Sequence, residues 1–200
     1  MAKKTYTGLT TKTKKHLLLG AGAFFKNFLV GTDTYASAVA AGKLIGATQG
    51  GGEFSAVATF RQIPVDGAIG DIKELEDIER WDVSLSATVL EVSKATIALA
   101  LGSATITTLT GTAPYNKIVG NNGLSSGDFN NITWCGCLLG EDKPMLIQVD
   151  NALCTNGLNL NMQDGEEGKI ALEFKGFYEG VDTGAEPVAP FSIYMTETSS

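Results

Sequence analysis

Trp81-Asp82-Val83-Ser84-Leu85-Ser86-Ala87-Thr88-Val89 alternates bulky apolar with small or polar residues over its whole length. Successive side chains of an extended chain point to opposite faces. A period of two therefore puts Trp81, Val83, Leu85, Ala87 and Val89 on one buried face of a strand. Upstream, Glu53 to Val65 repeats the pattern, with Phe54, Ala56, Ala58 and Phe60 on one face and Ser55, Val57 and Thr59 on the other. Pro64 and Asp66-Gly67 mark a turn beyond it. Ile72, Leu75 and Ile78 have some helical spacing, but their segment is short and acidic and reads as extended. Two half-buried strands joined in this way point to a β-dominated chain.

The pattern extends in both directions. Ser93 suits an N-cap, Ala95 to Leu101 a short helix and Gly102 its C′ residue, although Ile97 to Leu101 also suits a strand. Thr105 to Thr110 favours β structure through its branched residues. Residues 111–131, rich in Gly, Asn and Ser, read as a long loop. Strands are expected over Ile132–Leu139, Met145–Leu153 and Lys169–Tyr178. Between the last two, Leu158, Leu160 and Met162 alternate with asparagines ahead of a Gly-rich acidic turn, which is a hairpin signature. Phe191 to Tyr194 follows two prolines and suits an edge strand. Toward the start, Leu17 to Val30 reads as a strand, with Gly20 and Gly22 as points of close backbone approach. Residues 31–52 are small and close on Gly50-Gly51-Gly52, which predicts a second long loop or a loosely held hairpin. Residues 1–15 read as an arm. With no repeat and no strong linker, residues 1–200 form one domain.

Composition narrows the function. The 200 residues are 44% hydrophobic and 18% charged, against roughly 25% charged in ordinary soluble domains. A surface short of charge suits large subunit interfaces. The net charge of −7, from 22 acids and 15 bases, disfavours nucleic-acid binding, which needs cations aligned along a face. The bases that do cluster, Lys3, Lys4, Lys12, Lys14 and Lys15, lie in the arm. Lys12 to Lys15 followed by Leu17-Leu18-Leu19 has the outline of a leader, but the apolar run is too short. No stretch reaches the roughly 20 apolar residues that span a bilayer, so a soluble chain made in the cytoplasm is expected.

Chemistry-bearing patterns are sparse. His16 is the one histidine and sits in the basic arm, where it cannot be held rigidly against a nucleophile. Gly20-x-Gly22 has Phe25 where a dinucleotide fingerprint needs glycine, and Gly50-Gly51-Gly52 lacks the Lys-Ser or Lys-Thr of a phosphate loop. Cys135, Cys137 and Cys154 fit buried thiols better than a disulfide framework or a zinc site. The acids Glu74, Glu76, Asp77 and Glu79, and Asp164, Glu166 and Glu167, read as solvated faces. No catalytic residue, cofactor or metal is expected, and the chain reads as a non-enzyme.

Across its first half the sequence resembles the tail tube (major tail) proteins of long-tailed phages. The likeness rests on Gly51-Gly52-Glu53-Phe54, on Arg61-Gln62-Ile63-Pro64-Val65-Asp66-Gly67-Ala68-Ile69-Gly70 and on Ile72-Lys73-Glu74-Leu75, with Glu74 where the family often has glycine. Ala21-Gly22-Ala23-Phe24-Phe25-Lys26-Asn27 is similar to the family's opening strand. The resemblance implies a mainly β fold, a two-sheet β-sandwich or partial barrel with one short flanking helix. It also implies a homo-oligomer of six-membered rings, stacked into the tail tube of a virion assembled in the host cytoplasm. A tape-measure protein, a tail terminator and distal tail or baseplate proteins would be its partners. Genome DNA would pass through without specific binding, and no membrane contact is implied. Candidate inter-ring contacts are Lys12, Lys14, Lys15, Tyr35, Lys43, Leu44 and Ile45. Candidate acids lining the bore are Glu74, Glu76, Glu79, Glu166 and Glu167. The alternatives are a tube subunit of a contractile bacteriocin or secretion-type injection machine, and a β-sandwich surface-binding module.

Overall fold

The alternating stretch at residues 81–89 is the inner half of a fourteen-residue strand, Glu76–Val89, within a mainly β fold. The structure is a computed structural model. It describes residues 7–10, 13, 17–18, 20–67, 69–138, 143–160, 162, 164–165, 167–180 and 187–195. In chain order the elements are β1 (Ala23–Lys26), α1 (Tyr35–Ala40), β2 (Thr48–Gln62), β3 (Glu76–Val89) and α2 (Lys94–Ala100). There follow β4 (Ala104–Leu109), β5 (Tyr115–Gly120), β6 (Asn130–Gly136), β7 (Met145–Cys154), β8 (Ile170–Lys175) and β9 (Phe191–Tyr194).

Two sheets result. The larger has the order β1-β6-β7-β8-β3-β2, with β9 added alongside β7; the smaller is the β4–β5 hairpin. All pairings are antiparallel. β7 belongs to both halves of the large sheet. Its beginning, Met145–Val149, pairs with β6 and β9, whereas Leu153 and Cys154 at its end pair with β8. Between them Asn151 takes the left-handed conformation, φ 47°, opposite a register shift in β6. Asparagine tolerates this region better than most residues, and such a bulge bends a strand. The bend folds the sheet onto itself. Phe24, Ile132, Trp134, Ile147 and Val149 then meet Val83, Leu85, Val89, Ile170, Leu172 and Phe174 in one core. The fold-back does not close, so β1 and β2 remain its two ends.

Successive residues Phe24 and Phe25 are both fully buried because β1 is covered on both faces. Phe24 enters the main core; Phe25 packs with Phe28, Ala38 and Leu146 in a second cluster beneath α1. The sequence reading of 31–52 as a loop is therefore corrected. Thr34 caps α1 by accepting from the Ser37 amide at 3.2 Å, Ile45 is buried in the main core, and β2 has begun by Thr48. Small residues hid the helix, since alanine and serine at 35–40 carry almost no apolar periodicity. Residues 111–131 are corrected likewise. Tyr115–Gly120 pairs with β4, and a single 3-10 turn at Ser126–Asp128 leads into β6.

The flanking helix α2 forms where the sequence indicates. Ser93 accepts from the Thr96 amide at 3.1 Å, Thr96 Oγ1 accepts from the Ser93 amide at 2.8 Å, and Gly102 follows at φ 74°. The long strands and the edge strand β9 also appear where alternation predicts them, although Leu160 makes only one bridge, to Ile170. Two readings are corrected: the strand expected over Leu17–Val30 is confined to Ala23–Lys26, and Lys73–Leu75, read as extended, forms a 3-10 turn before β3 begins. Of the thiols, Cys154 is buried, Cys135 half-buried and Cys137 exposed, which corrects the expectation that all three are interior. The arm residues 1–6, 11–12 and 14–16 lie outside the described residues.

Candidate assembly surface

The β2–β3 hairpin is the longest element pair, and half of it leaves the body. Pairing runs from Thr48↔Val89 to Gln62↔Glu76, and the Ile63 amide donates to the Leu75 carbonyl at 3.0 Å beyond it. Near Val83–Val89 one face is buried in the core. From Phe60 outward nearly every described residue to Arg80 is exposed, with Ile72 and Leu75 the half-buried exceptions. The exposed set includes Phe60, Ile63, Val65, Ile69 and Ile78. Phe60 and Ile78 lie directly opposite each other, an apolar cross-strand pair at 60% and 45% exposure. Beside them the register slips by one residue, leaving Glu79 as the extra residue of a bulge, and bulges sharpen local twist. Gly67 and Gly70 turn the tip at φ 84° and 83°, a conformation costly to other residues.

β2 is also an edge. Among the described residues its one strand partner is β3, so the outward N–H and C=O groups of fifteen residues face no strand. Such an edge is a template for pairing with another chain. The base of the hairpin has a different irregularity. Four steps of β2, Thr48 to Gly52, match two steps of β3, and Gly50 and Gly51 sit in the resulting bulge at φ 79° and 77°.

This bulge walls a cavity of about 610 Å³ in the seam between β1 and β2, the two ends of the folded-back sheet. Phe24, Phe54, Leu85, Trp134 and Ile147 line it, with Leu18 and Ala21 at its mouth. Glycines make the fit. A methyl group on Gly52 would lie 2.3 Å from the Ser86 carbonyl oxygen and 2.5 Å from the Phe24 ring. One on Gly22 would lie 2.3 Å from the Trp134 indole nitrogen, which instead donates to the Ala21 carbonyl at 2.9 Å.

A second, smaller exposed hairpin stands beside α2. In β4–β5 the pair Leu109↔Tyr115 and nearby Val119 face outward. Elsewhere on the surface, Phe129 and Phe177 meet edge-on at 5.4 Å in a groove with Tyr178, Asn151 and Glu179.

The residues singled out from sequence are dispersed. Ile45 is spent in the core and its amide donates to Phe24, Leu44 bridges to Phe25, and Tyr35 stacks edge-on against Phe25 at 5.6 Å. Lys43 forms an ion pair with Asp33. That hydrogen bond, followed by one from the Leu29 amide, holds the Asp33 carboxyl below the usual carboxylate range. Of this set Tyr35 alone keeps a large exposed surface, while Lys12, Lys14 and Lys15 lie outside the described residues. Glu74, Glu76 and Glu79 are exposed together on the hairpin, but exposed Glu167 precedes β8, whose Ile170 pairs with Val89 at the hairpin's other end. At about 3.3 Å per residue, the length of β3 puts these acids roughly 40 Å apart. The structure thus does not bring the two acidic groups together; Glu166 lies outside the described residues.

The chain matches no protein-family model and no curated protein. Among the described residues no helix is long and apolar enough to cross a membrane.

Proposed function

We propose that the chain is a structural subunit that polymerises into the tail tube of a phage, as stacked rings forming a conduit for DNA. The observation that carries this reading is the free fifteen-residue edge of β2, continued by a hairpin arm whose apolar side chains face solvent. Closing a ring is one way to bury open sheet edges and such a patch without leaving new ones exposed. Low charge content and the sequence likeness over the first half support the same reading. Glu74, Glu76 and Glu79, together on the arm, are the acids that would line a bore and repel phosphate. Concentrated protein, followed by light scattering and negative-stain electron microscopy, is expected to form hollow tubes or stacked rings. A particle that stays monomeric at every concentration would overturn the reading. Tubes alone do not distinguish a virion from a bacterial injection machine; a neighbouring gene for a tape-measure protein and a capsid would.

A surface-binding module is the second reading, favoured by the groove of Phe129, Phe177 and Tyr178 beside Asn151 and Glu179. Flat aromatic faces with adjacent amide and carboxylate groups suit a sugar. A glycan array with a positive signal lost in Phe177→Ala would favour it.

A further inference from the structure

The molecule carries an apolar knob and an apolar hole that cannot meet within one copy. The knob is the tip of the β2–β3 hairpin, where Ile63 and Val65 are half exposed and Ile69 is wholly exposed. The hole is the 610 Å³ seam cavity between β1 and β2. The cavity is walled by Gly50, Gly51 and Gly52, near the beginning of β2, whereas the tip lies past Gln62 at its end. Ten residues of paired strand separate Gly52 from Gln62, roughly 33 Å at about 3.3 Å per residue. The strands carry the tip away from its own cavity, so only another copy's cavity is within reach.

The lining argues for a side-chain occupant. Its side-chain walls are aromatic and aliphatic, the polar remainder being glycine backbone, and its indole N–H is already used on the Ala21 carbonyl. Small-molecule sites normally keep a few free polar groups to orient the ligand; an aliphatic knob needs none. Charge agrees in sign. The tip is net acidic, with Asp66, Asp71, Glu74 and Glu76 against Arg61 and Lys73, while the sequence leading up to Leu18 carries Lys12, Lys14 and Lys15.

We infer that the hairpin tip of one copy docks into the β1–β2 seam cavity of a second copy. The inference rests on the assembly reading above and names the surfaces that meet. The contact is heterologous, tip to seam, so each copy offers one of each and the series continues until it closes or extends indefinitely.

Two variants test it by complementation. Ile63→Asp with Ile69→Asp spoils the tip and leaves the seam intact. Leu18→Trp fills the mouth of the seam and leaves the tip intact. Both change exposed positions, and circular dichroism with a melting curve checks that each folds. Alone, each is expected to associate at least about tenfold more weakly than the parent in sedimentation velocity, as loss of one or two buried aliphatic contacts implies. Mixed in equal amounts, they are expected to form a discrete pair, because one good tip meets one good seam and the remaining ends are dead. Variants that polymerise like the parent, or a mixture that gives no pair, would overturn the docking. The outcomes separate the two claims. Normal tubes from both variants sink the docking and keep the tube. A mixed pair without tubes from the parent keeps the docking and sinks the tube.

Discussion

The two halves of the β2–β3 hairpin both carry bulky apolar side chains but end in opposite environments. In the inner half, Val83, Leu85, Ala87 and Val89 are all at most 4% exposed, facing β8 neighbours and the folded-back β1-β6-β7 layer. In the outer half, Phe60 and Ile78 keep the alternation and stay in solvent. Alternation states that a strand has an apolar face; it does not state who covers it. For the inner half the cover is this chain. For the outer half no described element of this chain supplies it.

That contrast can be broken deliberately. Leu85→Ala removes a fully enclosed side chain from the inner half and is expected to cost about 2–5 kcal/mol, measured by denaturant unfolding of the monomer. Gly52→Ala attacks the base of the inner half, opposite Ala87. Its methyl group meets a backbone carbonyl that cannot rotate away, so a loss of about 1–3 kcal/mol is expected, with altered Trp134 fluorescence. The outer half should behave oppositely. Phe60→Ser with Ile78→Ser is expected to shift monomer stability by less than about 0.5 kcal/mol per site while weakening association. A large loss of monomer stability would mean the arm folds back onto its own body.

The smallest effect concerns β7, between the layers. Burial raises the pKa of the Asp150 carboxyl, partly offset by the Gln148 amide donating to it at 3.0 Å. A raised carboxylate pKa means the folded state disfavours the charge, so the penalty is absent below the unfolded value and grows as pH rises through the folded one. Asp150→Asn keeps an acceptor for Gln148. Its melting temperature is expected to exceed the parent's slightly at pH 7, with the difference vanishing in acid. A difference that instead widens in acid would reverse the assigned sign.

Much of the body was legible in the linear chain because its signals are local. Trp81–Val89 shows its period without reference to any partner, and Ser93 and Gly102 mark the ends of α2 within ten residues. What was missed lacked a local signal. Helix α1 is six residues long and mostly alanine and serine, and Tyr115–Gly120 is a strand through its pairing with β4. The candidate surface was less legible than the fold. Leu44 and Ile45 look like free apolar residues in a small-residue stretch, yet the edge of β1 draws Ile45 into the core.

By itself, the sequence determined a mainly β domain with long alternating strands, a capped helix and few candidates for chemistry. Strand period, capping and composition act over a few residues at a time. Tertiary structure alone decided that β7 turns at Asn151 and folds one sheet into two layers. It also decided that the fold-back stops short of closure, leaving a seam, and that half of the longest hairpin emerges uncovered. Those outcomes depend on contacts between residues far apart in the chain. Phe24 lies against Gly52, and Trp134 against Gly22, at distances that no short pattern encodes.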